Sequence, residues 1–93
     1  MSRTTPRSVR NRKVVNWRQI AGRLRQIRGS TSQVEFGKAL GVHQNVVSRY
    51  ERGAFRPPIE YLVLMARHGE VTLDWIILGE KPRTRREKSV REA

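Results

Sequence analysis

Three observations predict an all-α fold of five short helices. Apolar residues recur at three- and four-residue steps through residues 17 to 79. Glycine, serine–threonine and proline interrupt that pattern at short intervals. No segment alternates strictly enough to be a strand. In the first helix Trp17, Ile20, Leu24 and Ile27 form one apolar face ending at Gly29, with Trp17 assigned to the core and Arg18, Arg25 and Arg28 off the stripe. Gly29-Ser30-Thr31 is a loop. Ser32 caps the second helix, and Glu35 stands three positions later, the spacing of a reciprocal capping box. Val34, Phe36, Ala39 and Leu40 supply its apolar surface, and Gly41 ends it in a left-handed conformation.

The third helix runs from His43 or Gln44 to Glu51 or Arg52, with Val47 and Tyr50 facing inward and Gly53 stopping it. Pro57 and Pro58 lead into the fourth helix, in which Ile59, Leu62, Val63 and Ala66 face the core and His68-Gly69 forms the end. Thr72 caps the fifth, with Asp74 in the first turn, where a negative charge suits the dipole. Leu73, Ile76 and Ile77 carry the pattern to Gly79.

Ninety-three residues are expected to hold one domain with a modest core. With no cysteine there are no disulfides or thiolate zinc sites, which fits a reducing compartment. No apolar run approaches the ~20 residues of a membrane span, and no apolar signal core follows the basic N-terminus. The expected location is therefore cytoplasmic, on or near the nucleoid. The net charge of +12 is unevenly spread: +5 in residues 1–16, +4 in 17–79 and +3 in 80–93. This divides the chain into a flexible basic arm (1–16), a folded domain (17–79) and a basic tail (80–93). His43 and His68 lack metal-ligand spacing and companion ligands. Without a glycine-rich phosphate loop or a nucleophile–base pair, no catalytic residue, metal or cofactor is expected, and Glu35 and Asp74 are helix-start residues.

Residues 32–53 carry the function. Two short helices meet at Gly41-Val42, and the second presents Gln44, Asn45, Ser48 and Arg49 on its polar face. A helix of this kind can enter the major groove of DNA. An amide there can bind the adenine N6 and N7 edge with two hydrogen bonds, and an arginine can grip guanine in the same way.

Several positions stand in one register. Gln33 opens the first motif helix, a small residue (Gly37) follows four positions on, and the turn is Gly41-Val42. Val47 lies inside the second helix, which ends in Ser48, Tyr50, Glu51 and Gly53. Pro57 and Pro58 follow, and the closing run is TLDWIILGE. Over about residues 17 to 79 the chain thereby resembles the helix-turn-helix domain of phage lambda repressor and Cro and the wider XRE-type regulators. That family usually has alanine where this chain has Gly37. Glycine in a helix interior costs roughly 1 kcal/mol relative to alanine, so the departure implies either tighter packing or lower stability.

The resemblance implies roles for individual residues. Gln44 and Asn45 become base readers, joined by Arg49. Gln33 binds a phosphate and braces the first amide of the recognition helix. Ser48 has two open roles, a base contact or a bond back to its own helix. His43 likewise is a phosphate contact or merely a poor cap. Arg52 and Arg56 are assigned to phosphates, and Glu51 to a structural pairing with an arginine. Arg10, Arg12 and Lys13 belong to an arm that either wraps the duplex or serves solubility. His68 is a surface residue at a helix end. Leu73, Trp75, Ile76 and Ile77 are the candidate homodimer surface. The leading expectation is a sequence-specific transcriptional regulator, most simply a repressor, reading an inverted repeat in double-stranded DNA. The alternatives are an antitoxin or accessory regulator whose main ligand is a protein such as a toxin, and a nonspecific nucleic-acid binder driven by the tails.

Overall fold

In the computed structural model, which describes residues 15–86, five helices follow one another: α1 (Trp17–Arg28), α2 (Gln33–Leu40), α3 (Gln44–Glu51), α4 (Ile59–Gly69) and α5 (Leu73–Leu78). Side chains cap four of them by taking backbone N–H groups that have no partner within the helix. Asn16 Oδ1 accepts from Arg18 and Gln19 N, both at 3.1 Å, a cap the apolar pattern of α1 does not announce. Ser32 Oγ accepts from Glu35 N at 3.1 Å. This is half of the expected capping box, because the Glu35 side chain makes no return bond to Ser32. His43 Nδ1 accepts from Asn45 N at 3.0 Å, and Thr72 Oγ1 from Trp75 N at 3.0 Å. Only α4 starts without a side-chain cap; Pro58 stands there.

The hydrophobic stripes meet on α1, which touches α3, α4 and α5, while α2 packs on α3. Ile20, Leu24, Val47, Met65 and Ile76 are fully buried, with Phe36, Tyr61, Leu62, Ala66 and Val71 around them. Trp17, Leu40 and Tyr50 are partly buried against this cluster. Two expected stripes are corrected. In α4 the buried residues are Tyr61, Leu62, Met65 and Ala66, whereas Ile59 is 56 % exposed and Val63 half-buried. Ile59 and Val63 are four apart and share the neighbouring flank, so the core-facing stripe is rotated by about one position. In α2, Val34 and Ala39 face outward.

α4 ends at Gly69, as expected, but the glycine has another role than making the turn. Gly69 remains helical, and the left-handed residue is Glu70, at φ 55°. A Cβ at position 69 would stand 2.9 Å from Ile27 Cγ2. Gly69 therefore allows α4 to approach α1 and does not itself make the turn.

Part of the chain beyond α5 is tied back to the folded region. Thr72 N donates to Arg83 O (2.8 Å), Thr72 Oγ1 to Pro82 O (2.7 Å) and Arg85 N to Glu70 O (3.0 Å). A single antiparallel bridge joins Val71 and Thr84, and the Arg83 guanidinium lies over Trp75, 4.6 Å from the ring centroid. Residues 82–85 thus cover the entry to α5, so the Thr72 hydroxyl both caps α5 and holds this segment.

At the turn between α2 and α3, Gly37 O accepts from both Gly41 N (2.8 Å) and Val42 N (2.9 Å). A Cβ on residue 37 would stand 2.7 Å from Val42 O and 3.4 Å from Gln44 N. Tighter packing is thus the meaning of glycine here. We predict that Gly37→Ala loses about 1–2 kcal/mol in urea unfolding, because overpacking against backbone outweighs a propensity gain of about 1 kcal/mol.

Tyr61 yields a second prediction. Its ring meets Tyr50 edge-on at 4.7 Å, yet its buried hydroxyl has no hydrogen-bond partner among the described residues. Burial, with smaller contributions from Glu51 and Tyr50, pushes its pKa up to about 12. The phenol is thus harder to ionise folded than unfolded, and stability falls as pH rises from about 10 toward 12. Tyr61→Phe should be neutral or stabilising by up to about 1 kcal/mol at pH 7. Its advantage over wild type should widen between pH 10 and 11.5 in parallel denaturation curves.

Candidate nucleic-acid interface

Residues 33, 44 and 51 come together through a buried carboxylate. Glu51 ends α3 four residues after Val47, so it shares the buried face, and it is only 4 % exposed. Arg28, at the end of α1, answers it as a fork: Nε to Oε2 at 2.8 Å and Nη2 to Oε1 at 3.0 Å. The hydrogen bond to Glu51 holds the Arg28 guanidinium above its ordinary pKa. Its remaining Nη1 donates to Thr31 O at 2.8 Å. Arg25 Nη1 donates to the Glu51 carbonyl oxygen, placing a cation at the C-terminus of α3, where the helix dipole favours one. The expected pairing of Glu51 with an arginine is present, and its partner is Arg28.

The carboxylate also orients two amides. Ionised Glu51 can only accept, so Gln33 turns its Nε2 toward it, donating to Oε1 at 3.0 Å. Gln33 Oε1 then faces the other way and accepts from Gln44 Nε2 at 3.3 Å. Gln44 keeps its Oε1 and one N–H, an acceptor and a donor side by side on an exposed residue. The expected bracing of the first recognition-helix amide by Gln33 is thus present in the geometry.

Gln44 and Asn45 stand in the first turn of α3, with Ser48 and Arg49 one turn on. Gln44, Asn45 and Arg49 are exposed, while Ser48 is half-buried. Arg49 reaches over the Phe55 ring, its guanidinium carbon 5.1 Å from the centroid. Arg56 lies over Trp17 in the same way at 5.5 Å. Arg52 is exposed at the C-cap of α3. His43 caps α3 through Nδ1, which puts the proton of the neutral ring on Nε2, facing outward as a donor. Capping does not conflict with a phosphate contact, so the two roles left open for His43 are compatible. His68 is exposed, but its ring also meets Phe36 edge-on at 5.1 Å. Arg10, Arg12 and Lys13 lie outside the described residues.

The expected dimer surface needs correction. Ile76 is fully buried because α5 turns it directly onto the core; Leu73, Trp75 and Ile77 are only partly buried, and Leu78 is 43 % exposed. The Ile76 carbonyl is also occupied, accepting from Arg23 Nη1 at 2.8 Å. Sequence reasoning missed the seating of Arg49 and the full Arg28–Glu51–Gln33 network. Its one available signal was the four-residue step from Val47, which places Glu51 on a buried face.

Among the described residues no cluster of His, Asp or Glu could hold a metal ion, and no helix is long and apolar enough to cross a membrane. Replacing Glu51 by Gln removes the charge that Arg28 faces. Glu51→Gln should lose about 2 kcal/mol in urea unfolding, below the range for a fully buried pair because Arg28 retains some access to water.

No curated protein and no solved structure matches the chain. A family model described as Helix-turn-helix matches residues 23–76, a span running from within α1 to within α5 and holding the whole of the Arg28–Glu51–Gln33–Gln44 network. The chain belongs to the XRE/lambda repressor-like helix-turn-helix family of DNA-binding transcriptional regulators.

Proposed function

We propose that the protein is a sequence-specific repressor that binds an inverted-repeat operator as a dimer and acts by occupying a promoter. The observation carrying this reading is the oriented amide of Gln44. Its free acceptor and donor sit on an exposed helix N-terminus, held through Gln33 by a buried carboxylate. Such a pair matches the N6 and N7 edge of adenine in the major groove. Asn45 and Arg49 share its face and read adjoining bases, with Arg49 suited to guanine; Ser48, half-buried, contributes at the margin.

Gln33, His43, Arg52 and Arg56 hold the DNA backbone and set the register. Arg10, Arg12 and Lys13 add phosphate contacts from the N-terminal arm. The second copy docks through Leu73, Trp75, Ile77 and the exposed Leu78, without Ile76. Two recognition helices then stand roughly 34 Å apart, one turn of DNA. The protein works on the nucleoid, in the cytoplasm.

In-vitro selection from a randomised duplex pool tests the reading. A symmetric consensus is expected, bound roughly a thousandfold more tightly than random sequence at the same salt concentration. Gln44→Ala and Arg49→Ala should each flatten the preference at one position per half-site, by about 1–3 kcal/mol. A consensus unchanged in both variants would refute the assignment. Loss of all binding on removing residues 1–14 and 82–93, with no consensus in the intact chain, would favour a nonspecific binder.

A further inference from the structure

Phe55 is an unusual residue to find outside. It is 49 % exposed, in the loop between α3 and α4, and it adds little to the core. Its ring instead lies beneath Arg49, whose guanidinium carbon is 5.1 Å from the centroid. Among the described residues Arg49 has no hydrogen bond or ion pair to another side chain, so the ring is its described side-chain contact.

A guanidinium over an aromatic face uses its π surface and leaves its N–H groups pointing outward in the plane. Those N–H groups make the two-pronged contact to guanine O6 and N7. A free arginine side chain samples many rotamers, and binding through a fixed fork loses that freedom. A ring under the group before DNA arrives removes part of that loss. Gln44 is oriented by a carboxylate through Gln33. Arg49, one turn further along the same helix, has no such polar relay and has the ring instead.

We infer that Phe55 is a positioning residue for base reading: it seats the Arg49 guanidinium and so sharpens the preference at the base pair Arg49 meets. The inference rests on the proposed base-reading role of Arg49. Seating sharpens base reading more than phosphate binding, because a phosphate accepts donors from many directions. Base edges demand a particular plane.

The test is selection from a randomised duplex pool in parallel with full-length wild type, Arg49→Lys, Phe55→Leu and Phe55→Tyr. Circular dichroism and sedimentation accompany each variant. Arg49→Lys keeps the charge but not the fork, and it should flatten one position of each half-site by roughly tenfold or more. Phe55→Leu should flatten that same position by about two- to fivefold, the size of an exposed cation–π contact. Other positions should be untouched, and Phe55→Tyr, which keeps the ring, should retain the preference.

If Arg49→Lys flattens a position and Phe55→Leu does not, the seating idea fails while the base-reading role of Arg49 stands. If Arg49→Lys flattens nothing, the base-reading role itself fails and takes the inference with it. A uniform loss of affinity in Phe55→Leu, or a change of sedimentation coefficient, would assign Phe55 to packing or to a subunit contact and overturn the inference. Should Phe55→Leu unfold, Phe55→Tyr remains decisive: a flattened position in a folded, ring-bearing variant would also overturn it.

Discussion

The buried carboxylate of Glu51 is the constraint on which the reading face depends. An ionised carboxylate out of water is tolerated only where donors surround it. Arg28 provides two and Gln33 a third, so the ends of α1 and α3 and the start of α2 must meet at one point. Apolar packing of Phe36, Val47 and Leu24 brings these helices together without direction. The carboxylate supplies direction, because its oxygens accept only along particular lines. It also passes that direction outward: Gln33 has no orientational choice, and Gln44 therefore has less. A core interaction thus determines how an exposed amide is presented.

The turn at Gly37 serves the same end by different means. The α2 carbonyl at residue 37 accepts two N–H groups from the turn, and the absent side chain lets Val42 come close. This sets the separation of α2 and α3, and with it the 3.3 Å contact between Gln33 and Gln44. Packing distance and polar orientation are therefore coupled, since a wider turn would leave Gln33 bonded to Glu51 with Gln44 out of reach.

Features set by local sequence were legible in advance, and most of those set by distant contacts were not. Five helices followed from the period of Ile20, Leu24, Val47, Leu62 and Ile77, and Ser32, Gly41 and Thr72 marked their ends. Polar residues on the face of α3 could be named because a helix places residues 44, 45, 48 and 49 together whatever surrounds it. What was missed has a common origin. Gly69 does end α4, but what requires a glycine there is Ile27, more than forty residues away. Ile76 belongs to an apolar run that could face a second copy equally well, until α1 and α4 occupy that side. The pairing of residues 82–85 with residues 70–72 is made mostly of backbone hydrogen bonds, which leave no pattern in side-chain chemistry, with the Thr72 hydroxyl as a side-chain donor. Phe55 is a loop aromatic whose purpose appears only once Arg49 is found above it.

The placement of arginines changes what the net charge of +12 means. Arg23 holds the Ile76 carbonyl, Arg25 the Glu51 carbonyl and Arg28 the Glu51 carboxylate, so all three are committed to joining helices. Arg83, counted with the tail, is stacked on Trp75. Within the folded region, the cations left on or beside the reading helix are Arg49, Arg52 and Arg56, two of them over aromatic rings. A diffuse positive coat raises affinity for any polyanion equally and weakens with salt. A few cations fixed in direction add less attraction but more discrimination, since misplaced acceptors leave them unmatched. Under the proposed function, the reading surface of this protein is of the second kind. Most of the net charge lies in residues 1–16 and 80–93; under the same proposal it would strengthen binding without choosing among sequences.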